Sequence, residues 1–318
     1  MKAREKEAMA DTLVDRLEHF DRSVAPLVGV RPFENRQAFA WQLIDSLQRI
    51  AYVSTMVARR HRMSPDRANP ASSLFDPIQA AILLRDQDFE EACWLVFIAT
   101  HCGRNLRRGW LLSRELYGGL GQQVWTWAEV SSDPVAFRTW LRGNRPQIRG
   151  AFGNHRKYES LNDGAKGTGL VVASYVRWVM SFGSHAEMFA QASAAVGGDR
   201  RQAFRQLYES MRHVLRFGRT GRFDYLTMIA KIGLADIEAD STYLNEATGP
   251  LRGARLFFDG QIDSRSSARA LEARIAVLDD YLGVGKQVLE DSMCNWQKSP
   301  NRYVGFREGV QNARGDGH

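Results

Sequence analysis

Apolar residues recur at helical spacing along this 318-residue chain, and no stretch shows a convincing strand-like alternation. Met9, Leu13, Leu17 and Phe20 share one face of a first helix, and a long second helix is expected over residues 35–60. Asp88 opens a segment containing Ala92-Cys93-Trp94-Leu95-Val96-Phe97-Ile98-Ala99. It is apolar nearly all round, the pattern of a helix buried on every side. Asp133-Pro134 reads as an N-cap followed by proline at the first helical position, with Phe137, Trp140 and Leu141 as the apolar side. Asp199 opens a helix carrying Phe204, Leu207, Tyr208, Met211, Val214 and Leu215, and Ser266 or Ser267 caps another with Leu271, Ile275, Leu278 and Leu282. Leu170-Val171-Val172 alone could be a strand, but the continuation to Val179 fits a helix better. The fold class is all-α. Residues 61–75 read as a loop. The expected organisation is a helical region over 1–130, a second over 131–310 and a tail over 311–318.

Charge narrows the partners. The formal net charge is +7, and Arg far outnumbers Lys. Arg is the better donor for bidentate phosphate contacts and for stacking on bases. A polyanion such as DNA is favoured over the plainer alternative of solvated helix faces. The three cysteines (Cys93, Cys102, Cys294) form no CxxC and are too few for a four-cysteine iron–sulfur cluster. The opening Met1-Lys2-Ala3-Arg4-Glu5-Lys6-Glu7 lacks the apolar run of a signal peptide. No segment approaches the roughly 18 apolar residues of a membrane span. A cytoplasmic protein is expected, with no membrane and no obligate protein partner.

Polar chemistry concentrates in one block. From Arg138 to Lys157 lie six basic residues and no acid, and the end of this stretch runs into the block Phe152-Gly153-Asn154-His155-Arg156-Lys157-Tyr158-Glu159-Ser160. A second basic region runs from Arg200 to Arg222, with Glu209 the only acid inside it. It leads into Phe217-Gly218-Arg219-Thr220-Gly221-Arg222-Phe223-Asp224. Two glycines three apart before an apolar helix would let backbone amides grip a DNA phosphate, as in a helix–hairpin–helix element. A glycine ending one helix ahead of the next would look the same. Thr248-Gly249-Pro250 turns into a helix bearing Arg252 and Arg255, and Asn295, Trp296 and Lys298 cluster near another helix end. No P-loop, HExxH or GxSxG occurs, and His101 beside Cys102 completes no metal-ligand set. Neither metal nor cofactor is expected.

These blocks resemble a known family. Phe75-Asp76-Pro77, Glu91 to Phe97 and Thr100 to Gly103 look like its N-terminal half. Gly153 to Ser160, Phe217 to Leu226, Thr248 to Ala254 and Glu290 to Lys298 look like its later blocks. The family is the alpha-glutamyl/putrescinyl thymine pyrophosphorylase group, clade 3, which is similar in its C-terminal half to the helix–hairpin–helix DNA glycosylases. The resemblance implies DNA binding with base extrusion, because the target atom is hidden in the duplex. Its chemistry divides three ways. A monofunctional glycosylase would excise a hypermodified base, such as glucosylated hydroxymethylcytosine, from phage DNA in anti-phage defence. A transferase would displace pyrophosphate from a modified thymine with an amino acid or polyamine. A non-catalytic reader would only bind.

The match departs from ordinary glycosylases at two places. Their catalytic Asp corresponds to Thr248-Gly249-Pro250 here, and the Schiff-base Lys of their bifunctional members corresponds to Phe223. A carboxylate must then come from elsewhere, with Asp224 first and Glu159 second, assisted by His155 and Lys157. Asn154, Arg156, Tyr158, Asn295, Trp296 and Lys298 are expected to hold the base or its neighbours. Arg149, Arg216, Gly218, Arg219, Gly221, Arg222 and Arg252 are expected along the DNA.

Overall fold

The computed structural model describes residues 3–156, 158–164 and 166–305. Its α-helices in chain order are α1 (Ala3–Ser23), α2 (Phe33–Ala58), α3 (Pro77–Leu84), α4 (Phe89–Cys102), α5 (Leu111–Tyr117), α6 (Trp127–Ser132), α7 (Pro134–Asn144), α8 (Thr168–Met180), α9 (His185–Ala194), α10 (Arg200–Ser210), α11 (Arg219–Ile232), α12 (Thr248–Asp259), α13 (Ala268–Leu282) and α14 (Lys286–Trp296). Among the described residues there is no strand beyond one isolated bridge, Asn105 to Gly109. The all-α expectation holds. No described helix is long and apolar enough to cross a membrane. The tail expected over 311–318 lies outside the described residues.

The helices start where local chemistry says they should. Asp88 accepts from the backbone of Glu91, Asp133 from Val135 and Ala136, Asp199 from Arg201 and Gln202, and Ser267 from Ala270. Each side chain satisfies amides that the first helical turn leaves without partners. Leu170-Val171-Val172 is helical, inside α8. The 61–75 loop contains two single-turn 3-10 segments, at Arg60–Arg62 and Pro65–Arg67.

Two units form, each with its own core. One comprises residues 1–52 with 239–318, the other residues 53–238; the division near residue 130 expected from sequence falls inside the second. In the first unit, Phe39 and Phe257 have ring centroids 4.4 Å apart, and Trp296 meets both edge-on. Gly29 packs there against α12, where a Cβ would lie 1.9 Å from the Leu256 carbonyl oxygen, a distance no side chain could occupy.

The second unit is built around α4. Every residue from Glu91 to Ala99 is buried, and α3, α5, α6, α9 and α11 pack on it. Its one buried carboxylate, Glu91, accepts from the Tyr117 hydroxyl at 2.6 Å and the Trp127 amide at 2.5 Å, fastening α5 and α6 to the central helix. Burial pushes this carboxyl above the usual range. Trp94 donates to the Trp125 carbonyl, so the indole N–H is satisfied inside the core.

Candidate active site

The site grows from the C-terminus of α4. Gly103, at φ +64°, ends that helix in a conformation that suits glycine. The Gly153 amide donates to the Cys102 carbonyl at 2.8 Å. A Cβ on Gly153 would stand 2.9 Å from the Gly103 carbonyl carbon and 3.0 Å from the Arg104 oxygen. Two segments fifty residues apart thus lie backbone against backbone. From this seat Arg156 reaches back to the end of α4, where its Nε donates to the Thr100 carbonyl at 2.9 Å. Its guanidinium carbon lies 5.8 Å from the Phe217 ring centroid, and Nη2 donates to Asp224 Oδ2 at 3.3 Å. One arginine therefore joins α4, the 153–160 turn and the start of α11. Gly221 leaves room for it, since a Cβ there would crowd Phe217 and the Arg156 guanidinium.

Asp224 combines two properties that seldom go together. Half of its side-chain surface is open to solvent. Yet crowding by surrounding protein raises its pKa above the ordinary carboxylate value, against the opposing pull of Arg156, Lys231, Arg219 and His155. A carboxylate so placed, ringed by cations, suits developing positive charge or the acceptance of a proton.

The rest of the 153–160 block is exposed or braced. Asn154 and His155 are exposed, and Tyr158 is 79% exposed. Lys157 lies outside the described residues. Glu159 is nearly covered and pairs with Arg216, 3.4 Å from its Nε. Arg216 Nη2 donates to the Tyr158 carbonyl at 2.8 Å. Arg216 holds these partners from a backbone φ of +62°, a region that costs a non-glycine residue on the order of 1 kcal/mol. The two candidate carboxylates are thus unlike: Glu159 braces the turn, while Asp224 stays half-open.

Beneath the surface are two buried histidines. His101 Nε2 lies 3.0 Å from Thr168 Oγ1, whose own proton goes to the Ser160 carbonyl, so the imidazole is the donor. Burial, with Arg156 and Arg216 nearby, lowers its pKa to about 3, and it is neutral. His185 anchors a longer chain. Glu90 accepts from His185 Nδ1 at 2.6 Å, the Tyr175 hydroxyl meets Nε2 at 2.6 Å, and the Tyr225 hydroxyl lies 3.0 Å from that of Tyr175. With Glu90 ionised the proton directions are fixed: Tyr225 donates to Tyr175, Tyr175 to His185, His185 to Glu90. This chain, unforeseen in the sequence, ends one residue from Asp224. Cys102 is inert, its thiol pushed up to about 12 by burial.

Other expected residues fall in different settings. Arg149 and Gly218 are exposed, Gly218 as the N-cap of α11. Arg219 and Arg222 are buried instead, packed over the rings of Phe223 and Tyr208 at 4.7 and 4.2 Å. Helical spacing turns both inward, away from the DNA-facing role expected of them. Trp296 is 1% exposed in the core of the first unit, and its indole donates to the Asn35 and Pro300 carbonyls. It is therefore packed rather than open for stacking on a base. Asn295 donates to Asp291 and accepts from Lys298, and Arg252 lines an open cleft with Arg255, Thr248 and Asp263, all in the first unit. Arg104, Arg107 and Arg108 stand outside the expected set, although three arginines in five residues offered a signal.

Residues 34–308 match the family model described as alpha-glutamyl/putrescinyl thymine pyrophosphorylase clade 3. The chain belongs to this family. The match takes in every block from Phe75 to Lys298 and both units. No curated protein and no solved structure matches the chain. The family's name speaks of a thymine that carries glutamyl or putrescinyl groups.

Proposed function

We propose that this chain is an enzyme acting on a modified pyrimidine in DNA, and that it hydrolyses the bond between base and sugar with Asp224 as the reacting carboxylate. The observation that carries the reading is the half-open carboxyl of Asp224, 3.3 Å from Arg156 Nη2 and with its pKa raised by the surrounding protein. Leaving of the base takes the bonding electron pair with it and puts positive charge on C1′. An ionised carboxylate stabilises that charge and orients a water. The water oxygen bonds to C1′, and one of its protons passes to the carboxylate and then to the departed base. The base must first leave the stack. Exposed Asn154, His155 and Tyr158, in the turn that carries Arg156, suit contacts to an extruded nucleotide. A hypermodified cytosine of phage DNA, such as glucosylated hydroxymethylcytosine, is the proposed target, with defence against phage as the setting.

The family's name favours a second reading, in which an amine displaces pyrophosphate from a modified thymine. Asp224 would then take the proton of the attacking amine.

The two separate in one experiment. Purified protein is incubated with unmodified DNA, hydroxymethylcytosine DNA, glucosylated DNA and pyrophosphorylated hydroxymethyluracil DNA plus glutamate or putrescine. Alkali-labile strands with a free base support hydrolysis. A gain in nucleoside mass with intact strands supports transfer. Neither outcome on any of these substrates overturns both.

A further inference from the structure

We infer that the segment from Gly103 to Trp110 is a preformed arginine knuckle that grips the phosphodiester backbone of DNA; this deepens the DNA reading above and rests on it. Asn105 builds the knuckle. Its Oδ1 accepts from the amides of Arg107 and Arg108, each at 2.9 Å. Its backbone exchanges both bonds with Gly109, at 3.0 and 2.9 Å. Its Nδ2 donates to the Phe152 carbonyl at 2.9 Å. Gly103 and Gly109 turn the chain at φ +64° and +58°. The loop is thus ordered before any partner arrives, which lowers the cost of binding.

The knuckle presents Arg104, Arg107 and Arg108, all exposed. Arg108 donates to the Arg149 carbonyl, holding the knuckle alongside a segment that carries exposed Arg145 and Arg149. None of these five side chains pairs with a carboxylate among the described residues. The nearby acid, Glu115, is engaged by the amides of Arg149 and Gly150 at 2.9 and 2.7 Å. Other arginines of the unit are matched: Arg138 and Arg142 share Asp163, and Arg200 and Arg201 have Asp236 and Glu238. Five exposed guanidinium groups on two adjoining segments, with no carboxylate between them, favour a multivalent anion. The knuckle's two apolar side chains, Leu106 and Trp110, are both partly buried, which leaves little wedge for a lipid surface. A phosphodiester chain, presenting anionic oxygens at repeated spacing, meets planar bidentate donors well. The position agrees, because the Arg104 backbone packs on Gly153, where the turn carrying Arg156 begins.

Binding of a fluorescent DNA duplex, measured by anisotropy across a salt series, tests the assignment. Each lost phosphate contact lowers the slope of log affinity against log salt by about 0.9. The triple variant Arg104→Ala, Arg107→Ala, Arg108→Ala is expected to reduce the slope by about 2 to 3, while triple substitution to Lys keeps most of it. Arg200→Ala with Arg201→Ala, at carboxylate-paired positions, is expected to leave it unchanged. An unaltered slope in the triple alanine variant, an equal fall in the paired-site control, or binding to phosphatidylserine vesicles but not to DNA overturns the proposal. Circular dichroism establishes that the variants are folded. A reduced slope with no released base on any substrate would leave the knuckle standing and remove the glycosylase reading.

Discussion

A carboxyl beside an arginine ordinarily ionises more readily than one alone, yet at Asp224 crowding outweighs Arg156 and the pKa rises. The sign can be followed into activity. If the reacting form is ionised, turnover rises with pH through a value above the usual Asp range, and the acidic limb reports Asp224. Arg156 is the strongest of the cations opposing the shift, so Arg156→Gln moves that limb to higher pH, as a pH–rate profile would reveal. Asp224→Asn is expected to lower the rate by about 10²- to 10⁴-fold, the range for removing a proton-transfer group, with DNA affinity nearly retained. The same variant relieves a desolvated charge, so its melting temperature at pH 7 should be no lower than that of the parent. Glu159→Gln should act mainly through the turn that Arg216 braces, with a smaller fall in rate and a lower melting temperature. At this scale the sequence was partly legible. Asp224 and Arg156 stood out as polar groups in cationic surroundings. The burial of Arg219, Arg222 and Trp296 did not, because a side chain's exposure depends on what packs over it.

Among the elements, close approaches decide. A methyl group on Gly153 meets backbone on the Gly103 side, and backbone cannot swing aside as a flexible side chain can. Gly153→Ala should cost about 1–3 kcal/mol, as overpacking does, and loosen the turn that carries Arg156. Gly218→Ala meets nothing within 4 Å and should cost no more than about 1 kcal/mol, the order of a poorer N-cap. Chemical denaturation of the two variants compares them directly. The buried tyrosine chain gives another expectation: Tyr175→Phe leaves His185 Nε2 without its donor and Tyr225 without its acceptor, at about 1–3 kcal/mol for a buried unsatisfied group. Helices with side-chain caps, such as those at Asp88, Asp133 and Asp199, were readable because a cap and an apolar period lie within a few residues. The Gly103–Gly153 contact and the Glu90–His185–Tyr175–Tyr225 chain were not, because each joins residues far apart in sequence.

For the molecule as a whole, two buried histidines tie stability to pH. His101 is held neutral with a pKa of about 3 against an ordinary 6.5, and burial lowers that of His185 as well. The unfolded chain takes up these protons first, so the histidines' contribution to stability is complete above about pH 6.5 and falls as pH drops toward 3, while the raised carboxyls of Glu91 and Asp224 act in the opposite sense. His101 contributes a slope of about 1.4 kcal/mol per pH unit in that window. Urea titrations between pH 7 and 4 should show it, and His101→Gln should flatten it. The two units were the least legible level of the fold, since helical periodicity is local and carries no record of which distant helix supplies the opposite wall of a core.

That discontinuous unit has a consequence for biosynthesis. Residues 1–52 leave the ribosome well before residues 239 onward, with 186 intervening positions still to be translated. At about 5–20 residues per second, the apolar faces of α1 and of the early part of α2 wait on the order of ten to forty seconds for α12, α13 and α14. The central stretch of chain, being continuous, can close its own core in the meantime. Residues 1–52 are therefore the stretch with most need of a holding chaperone during synthesis.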